Sequence, residues 1–127
     1  MSQPDATDVF EAFVRDHIQS AEELETLLLL YRSTERWWTI DEIARELHLD
    51  RSSTRRALER LSGPFLEVRL EADVCFRFAT LNEERERLTA RLDDAYHRDR
   101  TALMHLVGRG GAARDFADAF RLKKEEA

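Results

Sequence analysis

The sequence predicts a mainly α-helical domain carrying one small β-hairpin, and three observations predict it. Apolar residues recur at helical spacing along most of the chain. Between residues 66 and 79 the spacing changes to strict alternation. Only four Gly and two Pro interrupt 127 residues, so there are few breaks between long regular segments. At 14.9 kDa the chain fits one domain around one core. Apolar residues make up 43% and charged residues 36%, the balance of a globular protein and not of a disordered one.

Several classes are set aside early. The longest apolar run, Leu27 to Tyr31, is far short of the roughly 20 residues that cross a bilayer. The acidic start lacks the basic and apolar pattern of a secretory signal. A cytoplasmic protein without membrane association is therefore expected. The lone Cys75 agrees, because it has no partner for an internal disulfide. It reads first as a small core residue of a strand and second as an oxidant-sensitive thiol.

Along the chain, "DATDVFEAFVRDHIQS" places Val9, Phe10, Phe13, Val14 and His17 on one helical stripe. That stripe is wide for so short a segment, so it should pack on something distant in sequence or on a second subunit. Ser20 and Glu23 form a possible capping box before "AEELETLLLLYRS", whose buried face would hold Leu24, Leu27, Leu28 and Tyr31. "ERWWT" suits a short extended piece. Thr39 and Glu42 make a second capping box, opening "IDEIARELHL" with Ile40, Ile43, Ala44 and Leu47 inward. Asp50 is a good N-cap for "RSSTRRALERL", with Thr54, Ala57, Leu58 and Leu61 inward and Gly63-Pro64 as the stop.

Alternation follows. Leu66, Val68 and Leu70 interleave with Glu67 and Arg69, and Val74, Phe76 and Phe78 with Cys75, Arg77 and Ala79, a hairpin turning at residues 71–73. Residues 81–107 then read as one helix about 40 Å long, with Leu81, Leu88, Leu92, Ala95, Tyr96, Ala102, Leu103 and Leu106 as its seam. "GRGG" breaks it, and a last helix would carry Phe116, Ala119 and Phe120 on one side. The chain has no internal repeat and no low-complexity tract.

Charge is unevenly spread. The formal net charge is −6; residues 1–30 hold one base, Arg15, against seven acids, and residues 31–50 hold three bases against five acids. Residues 51–80 reverse this with six bases and four acids, and residues 81–127 balance at ten each. A globally acidic protein is repelled by phosphate at long range, so contact with nucleic acid has to be local and salt-sensitive.

Over residues 20–80 the order of helix, short strand, helix, tight turn, helix and hairpin resembles the winged helix-turn-helix domain. The resemblance is most specific in "TIDEIARELHLDRSSTRRALERLSG", where two capped helices meet with Ala44 at the tight crossing. The surrounding arm and long C-terminal helices look like the dimeric MarR-type regulators. The tail "DFADAFRLKK" is similar to that of small uncharacterised bacterial winged-helix proteins, a likeness that supplies no activity. The resemblance implies three regions: an arm at 1–19, the winged domain at 20–80, and C-terminal helices at 81–127 that dimerise with the arm. It also implies a bacterial transcriptional regulator that binds double-stranded DNA as a homodimer, with no cofactor and no catalytic function.

A recognition helix presents its N-terminal half to the major groove. The expected base-facing and phosphate-facing residues are therefore Arg51, Ser52, Ser53, Arg55 and Arg56, with Arg60 one turn later at the DNA backbone. Arg69 and Arg77 are the wing's candidate phosphate contacts, although the wing tip at residues 71–73 is acidic. The same arginines also read as a solvated helix face, with Arg56 and Glu59 or Arg60 paired, and winged helices also serve as protein adaptors. A single-stranded or RNA partner fits less well, because the strands lack an exposed aromatic row. His97 and His105 lie eight residues apart without a nearby acid or Cys cluster and read as structural. "GRGG" lacks the Lys-Ser/Thr of a phosphate loop. Trp37 and Trp38 read as packing residues before ligand-pocket walls. No nucleophile, base and acid set is present in the sequence.

Overall fold

The computed structural model describes residues 6–107; the expected "GRGG" break and the helix with Phe116, Ala119 and Phe120 lie outside the described residues. Chain order is α1 (Ala6–His17), α2 (Ala21–Arg32), β1 (Trp38–Thr39), α3 (Ile40–Leu47), α4 (Arg51–Phe65), β2 (Leu66–Leu70), β3 (Val74–Phe78), α5 (Glu83–Arg98) and α6 (Arg100–Leu106).

Local chemistry sets the helix starts. At α3 the box is complete: Glu42 N–H donates to Thr39 Oγ1 at 3.2 Å, and Thr39 N–H donates to Glu42 Oε1 at 2.8 Å. At α2 it is displaced by one residue. Glu23 N–H donates to Ser20 Oγ at 3.1 Å, but the Glu23 carboxylate accepts from Gln19 N–H at 3.2 Å. Asp50 caps α4, accepting from the Ser53 N–H at 2.9 Å and from its hydroxyl at 2.6 Å.

The extended "ERWWT" piece becomes a third strand. The sheet is antiparallel in the order β1-β3-β2, with Trp38 opposite Phe76 and Val68 opposite Phe76 on the other side. Trp38, Phe76, Phe78 and Leu66 point inward and are buried, so the sheet closes one wall of the core. β2 is the outer strand of the wing. Val68 is 53% and Leu70 77% exposed, so its alternation is not matched by burial beyond Leu66.

Two expectations are corrected. α4 does not stop at Gly63-Pro64 but continues to Phe65. Pro64 falls in the last turn, where its missing N–H costs one helical bond. Gly63 has no Cβ to clash with the proline ring. Holding the helix for that extra half turn places Phe65 fully in the core, with its ring edge-on to Phe13 at 5.8 Å. Arg85 Nη1 donates to the Pro64 carbonyl at 3.0 Å, satisfying an end-of-helix acceptor.

The expected single helix over 81–107 is two helices. Asp99 leaves helical geometry (φ −156°, ψ 84°) and its carboxylate accepts from Ala102 N–H at 3.0 Å, capping α6. An Asp that competes for the backbone favours such a cap over a helix interior. Leu81 precedes α5 and is fully exposed, and Ala102 is exposed too, so neither belongs to the seam.

The break folds α6 back toward α1. Phe10, Phe13, Val14 and Ile18 of the N-terminal stretch are buried together with Leu88, Leu92 and Leu103 in one core cluster. The apolar seams of the arm and of the helices after residue 80 therefore cover each other within a single chain, as far as residue 107.

Candidate nucleic-acid interface

The turn between α3 and α4 is made by two residues, His48 and Leu49. His48 adopts a left-handed conformation (φ 55°, ψ 44°), and Leu49 N–H returns to the Ala44 carbonyl at 2.9 Å, the closure typical of a helix C-terminus. Asp50 then starts α4 directly. On α4, Thr54, Ala57, Leu58, Leu61 and Phe65 are buried, and the Thr54 hydroxyl donates to the Asp50 carbonyl at 2.9 Å. With that face committed, Arg51, Ser52, Arg55, Arg56, Glu59 and Arg60 are exposed and Ser53 is half-buried.

Exposure is not availability. Arg51 is ion-paired with Asp41 of α3. Arg60 Nε lies 3.1 Å from Glu23 Oε2, a carboxylate that is 7% exposed. On the wing, Arg69 pairs with Glu71 at 3.1 Å and Arg77 with Glu67 at 2.8 Å. The Ser53 hydroxyl is given to the Asp50 cap. Its bonds, the hydroxyl's first and the amide's second, hold the Asp50 carboxyl below the usual carboxylate range, and the field of Arg56 adds to this. Ser52 is exposed at the helix start, and neither Arg55 nor Arg56 makes an ion pair among the described residues.

Trp37 holds the two wing arginines a second time. The guanidinium carbons of Arg69 and Arg77 stand 4.2 and 4.5 Å from the centre of the Trp37 ring, cation–π distances. The β1–β3 register that pairs Trp38 with Phe76 brings Trp37 to the level of Arg77 on the outer face, because neighbouring strand residues point to opposite sides. Alternation alone carried this signal, once "RWWT" was aligned with β3. Trp38 is the core tryptophan, with Arg36 3.7 Å above its ring.

Between α3, α4 and the wing lies a groove of about 320 Å³, whose rim places Asp41, Glu59 and Asp73 against Arg51 and Arg55 over a floor that includes Phe76. The carboxylates outnumber the guanidiniums there. On the outward face of α4, the guanidiniums without an ion pair among the described residues are those of Arg55 and Arg56, beside the amides that open the helix.

A short-turned α3–α4 pair with a hairpin following α4 and a third strand closing its sheet defines a winged helix-turn-helix. No protein-family model matches the sequence, and no curated protein matches it. Solved structures share the fold. Reduced HlyU from Vibrio cholerae aligns with a TM-score of 0.52 at 15% identity, over 72% of this chain and 90% of that one. MepR, a transcription regulator of the Staphylococcus aureus multidrug efflux pump MepA, aligns with a TM-score of 0.55 at 13% identity, over 94% and 88%. A MepR mutant from a multidrug-resistant S. aureus clinical isolate aligns with a TM-score of 0.50 at 15% identity, over 95% and 88%. At these identities the likeness is one of fold alone, the winged helix-turn-helix. Among the described residues no helix is long and apolar enough to cross a membrane.

Proposed function

We propose that this protein is a transcriptional regulator that binds double-stranded DNA as a homodimer through α4. The observation that carries the reading is the pair Arg55 and Arg56, exposed on the N-terminal half of a doubly positioned helix and without an ion pair among the described residues. A guanidinium donating to guanine O6 and N7 contributes about 1–3 kcal/mol of base discrimination. Ser52 and the first amides of α4 suit a phosphate. Arg51 joins them by exchanging Asp41 for phosphate, since an exposed ion pair is worth at most about 1 kcal/mol.

Arg60, Arg69 and Arg77 contribute less in this reading, because each already holds a carboxylate and two of them also hold Trp37. A single α4 with so few base contacts is a weak reader, so two copies on a pseudo-palindrome, with half-sites about 34–36 Å apart, supply the specificity. The protein acts by occupying a promoter.

One observation favours a second reading, a protein adaptor on the same fold: four of the six arginines near the interface, Arg51, Arg60, Arg69 and Arg77, are already paired with carboxylates. Selection from random duplexes separates the two. The regulator enriches a motif and Arg55→Ala/Arg56→Ala does not; the adaptor enriches nothing.

A further inference from the structure

The wing ends in an edge strand whose sequence is its own complement. β2 reads Leu66-Glu67-Val68-Arg69-Leu70; turned end for end about Val68, leucine meets leucine, glutamate meets arginine and valine meets valine. β2 pairs only with β3 among the described strands, and its outer edge carries no Pro or like-charge run of the kind that protects edges from pairing.

Which backbone groups face outward follows from two hydrogen bonds. Ala79 N–H donates to the Phe65 carbonyl at 2.8 Å, and Glu71 N–H donates to the Asp73 carbonyl at 3.1 Å. In the Glu67–Arg77 and Arg69–Cys75 register, odd-numbered residues of β2 therefore bond β3, and the N–H and C=O groups of Val68 and Leu70 point to the open edge. A two-fold axis through Val68 uses those same groups. Parity permits a register in which Val68 faces Val68, and the charge symmetry of the strand singles it out.

We propose that β2 is a docking edge for β2 of a second copy, antiparallel and centred on Val68, joining two three-stranded sheets into one of six strands. Val68 and its counterpart exchange both N–H···O bonds, and each Leu70 N–H meets the Leu66 carbonyl of the other chain. On the outer face each Glu67 stands opposite Arg69 of the second copy, the cross-strand arrangement that stabilises sheets. On the other face the exposed side chains of Val68 and Leu70 line up with those of the second copy. Leu70 of that copy arrives beside Leu66, where a cleft of about 790 Å³ bordered by Pro64, Leu66 and the exposed Leu81 leaves room for it. The interface is isologous and small, and its association is correspondingly weak.

This surface is separate from the DNA-facing tips of Arg55 and Arg56, and the inference stands whether or not a duplex is selected. The experiment is amide exchange by NMR together with sedimentation, from micromolar to millimolar concentration. Association slows exchange of the Val68 and Leu70 amides with concentration, while the Glu67 and Arg69 amides, already bonded to β3, are slow throughout. Val68→Pro removes an N–H that the hairpin does not use, as edge strands tolerate, and abolishes the concentration-dependent mass increment. Glu67→Lys and Arg69→Glu each weaken self-association by roughly tenfold or more. An equimolar mixture of these two variants restores it, because opposite charges again face one another. Concentration-independent exchange at Val68 and Leu70, a Val68→Pro mass series that superimposes on the wild type, or a mixture that behaves like its components overturns the proposal.

Discussion

Arg60 and Glu23 tie α4 to the start of α2: the guanidinium Nε is 3.1 Å from a carboxylate oxygen whose side chain is almost fully buried, while the arginine is 47% exposed. The same carboxylate accepts from Gln19 N–H and from the Ser20 hydroxyl. An arginine that looks like a fourth cation for a polyanion is thus the counter-charge of a buried helix cap. Arg60→Ala leaves that carboxylate with neutral donors only. The expected loss is about 1–2 kcal/mol, below the cost of breaking a fully buried pair because Arg60 is half in water. Urea denaturation reads it, and the salt dependence of DNA binding stays as in the wild type. A variant of unchanged stability with a shallower salt slope contradicts this assignment.

His17 makes the domain acid-sensitive at the junction of α1, α4 and α5. Its ring lies 5.3 Å from the rings of both Phe13 and Phe65. Burial, then the charge of Arg85, lowers its pKa, and Asp16 opposes them. Above the ordinary histidine value of about 6.5 the ring is neutral in both states and its titration adds nothing. As pH falls through that value the unfolded chain takes the proton first, so stability declines until the folded state titrates as well. Denaturation midpoints from pH 7 downward check this against His17→Leu, which is expected to lack that component of the slope; equal slopes in the two proteins contradict it.

Trp37 is expected to stabilise the wing. Trp37→Ala removes two partly exposed cation–π contacts worth about 0.5–1 kcal/mol each, besides the ring's own packing. Thermal unfolding should fall accordingly, and the ring contacts of Arg69 and Arg77 should vanish from NMR shift perturbations. Trp37→Phe keeps a weaker aromatic face and should lie between the two; an alanine variant as stable as the wild type excludes the clamp.

His48 is the described non-glycine residue with positive φ. Glycine takes this conformation without the Cβ penalty, so His48→Gly is expected to stabilise by about 0.5–1 kcal/mol, the gain being reduced by glycine's freedom in the unfolded chain. Urea midpoints provide the measurement. A loss of stability means that the imidazole makes a contact that outweighs the backbone relief.

Much of the fold was legible because its signals are local. Thr39 with Glu42, and Asp50 with Ser53, are caps within four residues, and the change from helical spacing to alternation at Leu66 marked the wing. Asp99 was missed because an Asp between Arg98 and Arg100 satisfies helical spacing as readily as it caps a new start; only the return of Leu103 to the core decides between them. The candidate site was legible as a list of outward arginines but not as a set of available ones. Availability depends on partners such as Glu23 for Arg60 and Asp41 for Arg51, brought close by packing and not by sequence spacing. The wide stripe of α1 needs a cover, and Leu88, Leu92 and Leu103 of α5 and α6 lie in one core cluster with it.

The central claim is that Arg55 and Arg56 present enough local positive charge to hold duplex DNA against a net charge of −6. The most direct measurement is the affinity of a selected duplex against salt concentration, for the wild type and for Arg55→Ala/Arg56→Ala. Log affinity is expected to fall linearly with log salt for the wild type. The variant is expected to lose roughly tenfold or more in affinity, with a shallower slope and unchanged circular dichroism. A duplex bound equally well by both proteins, or no duplex enriched at all, contradicts it.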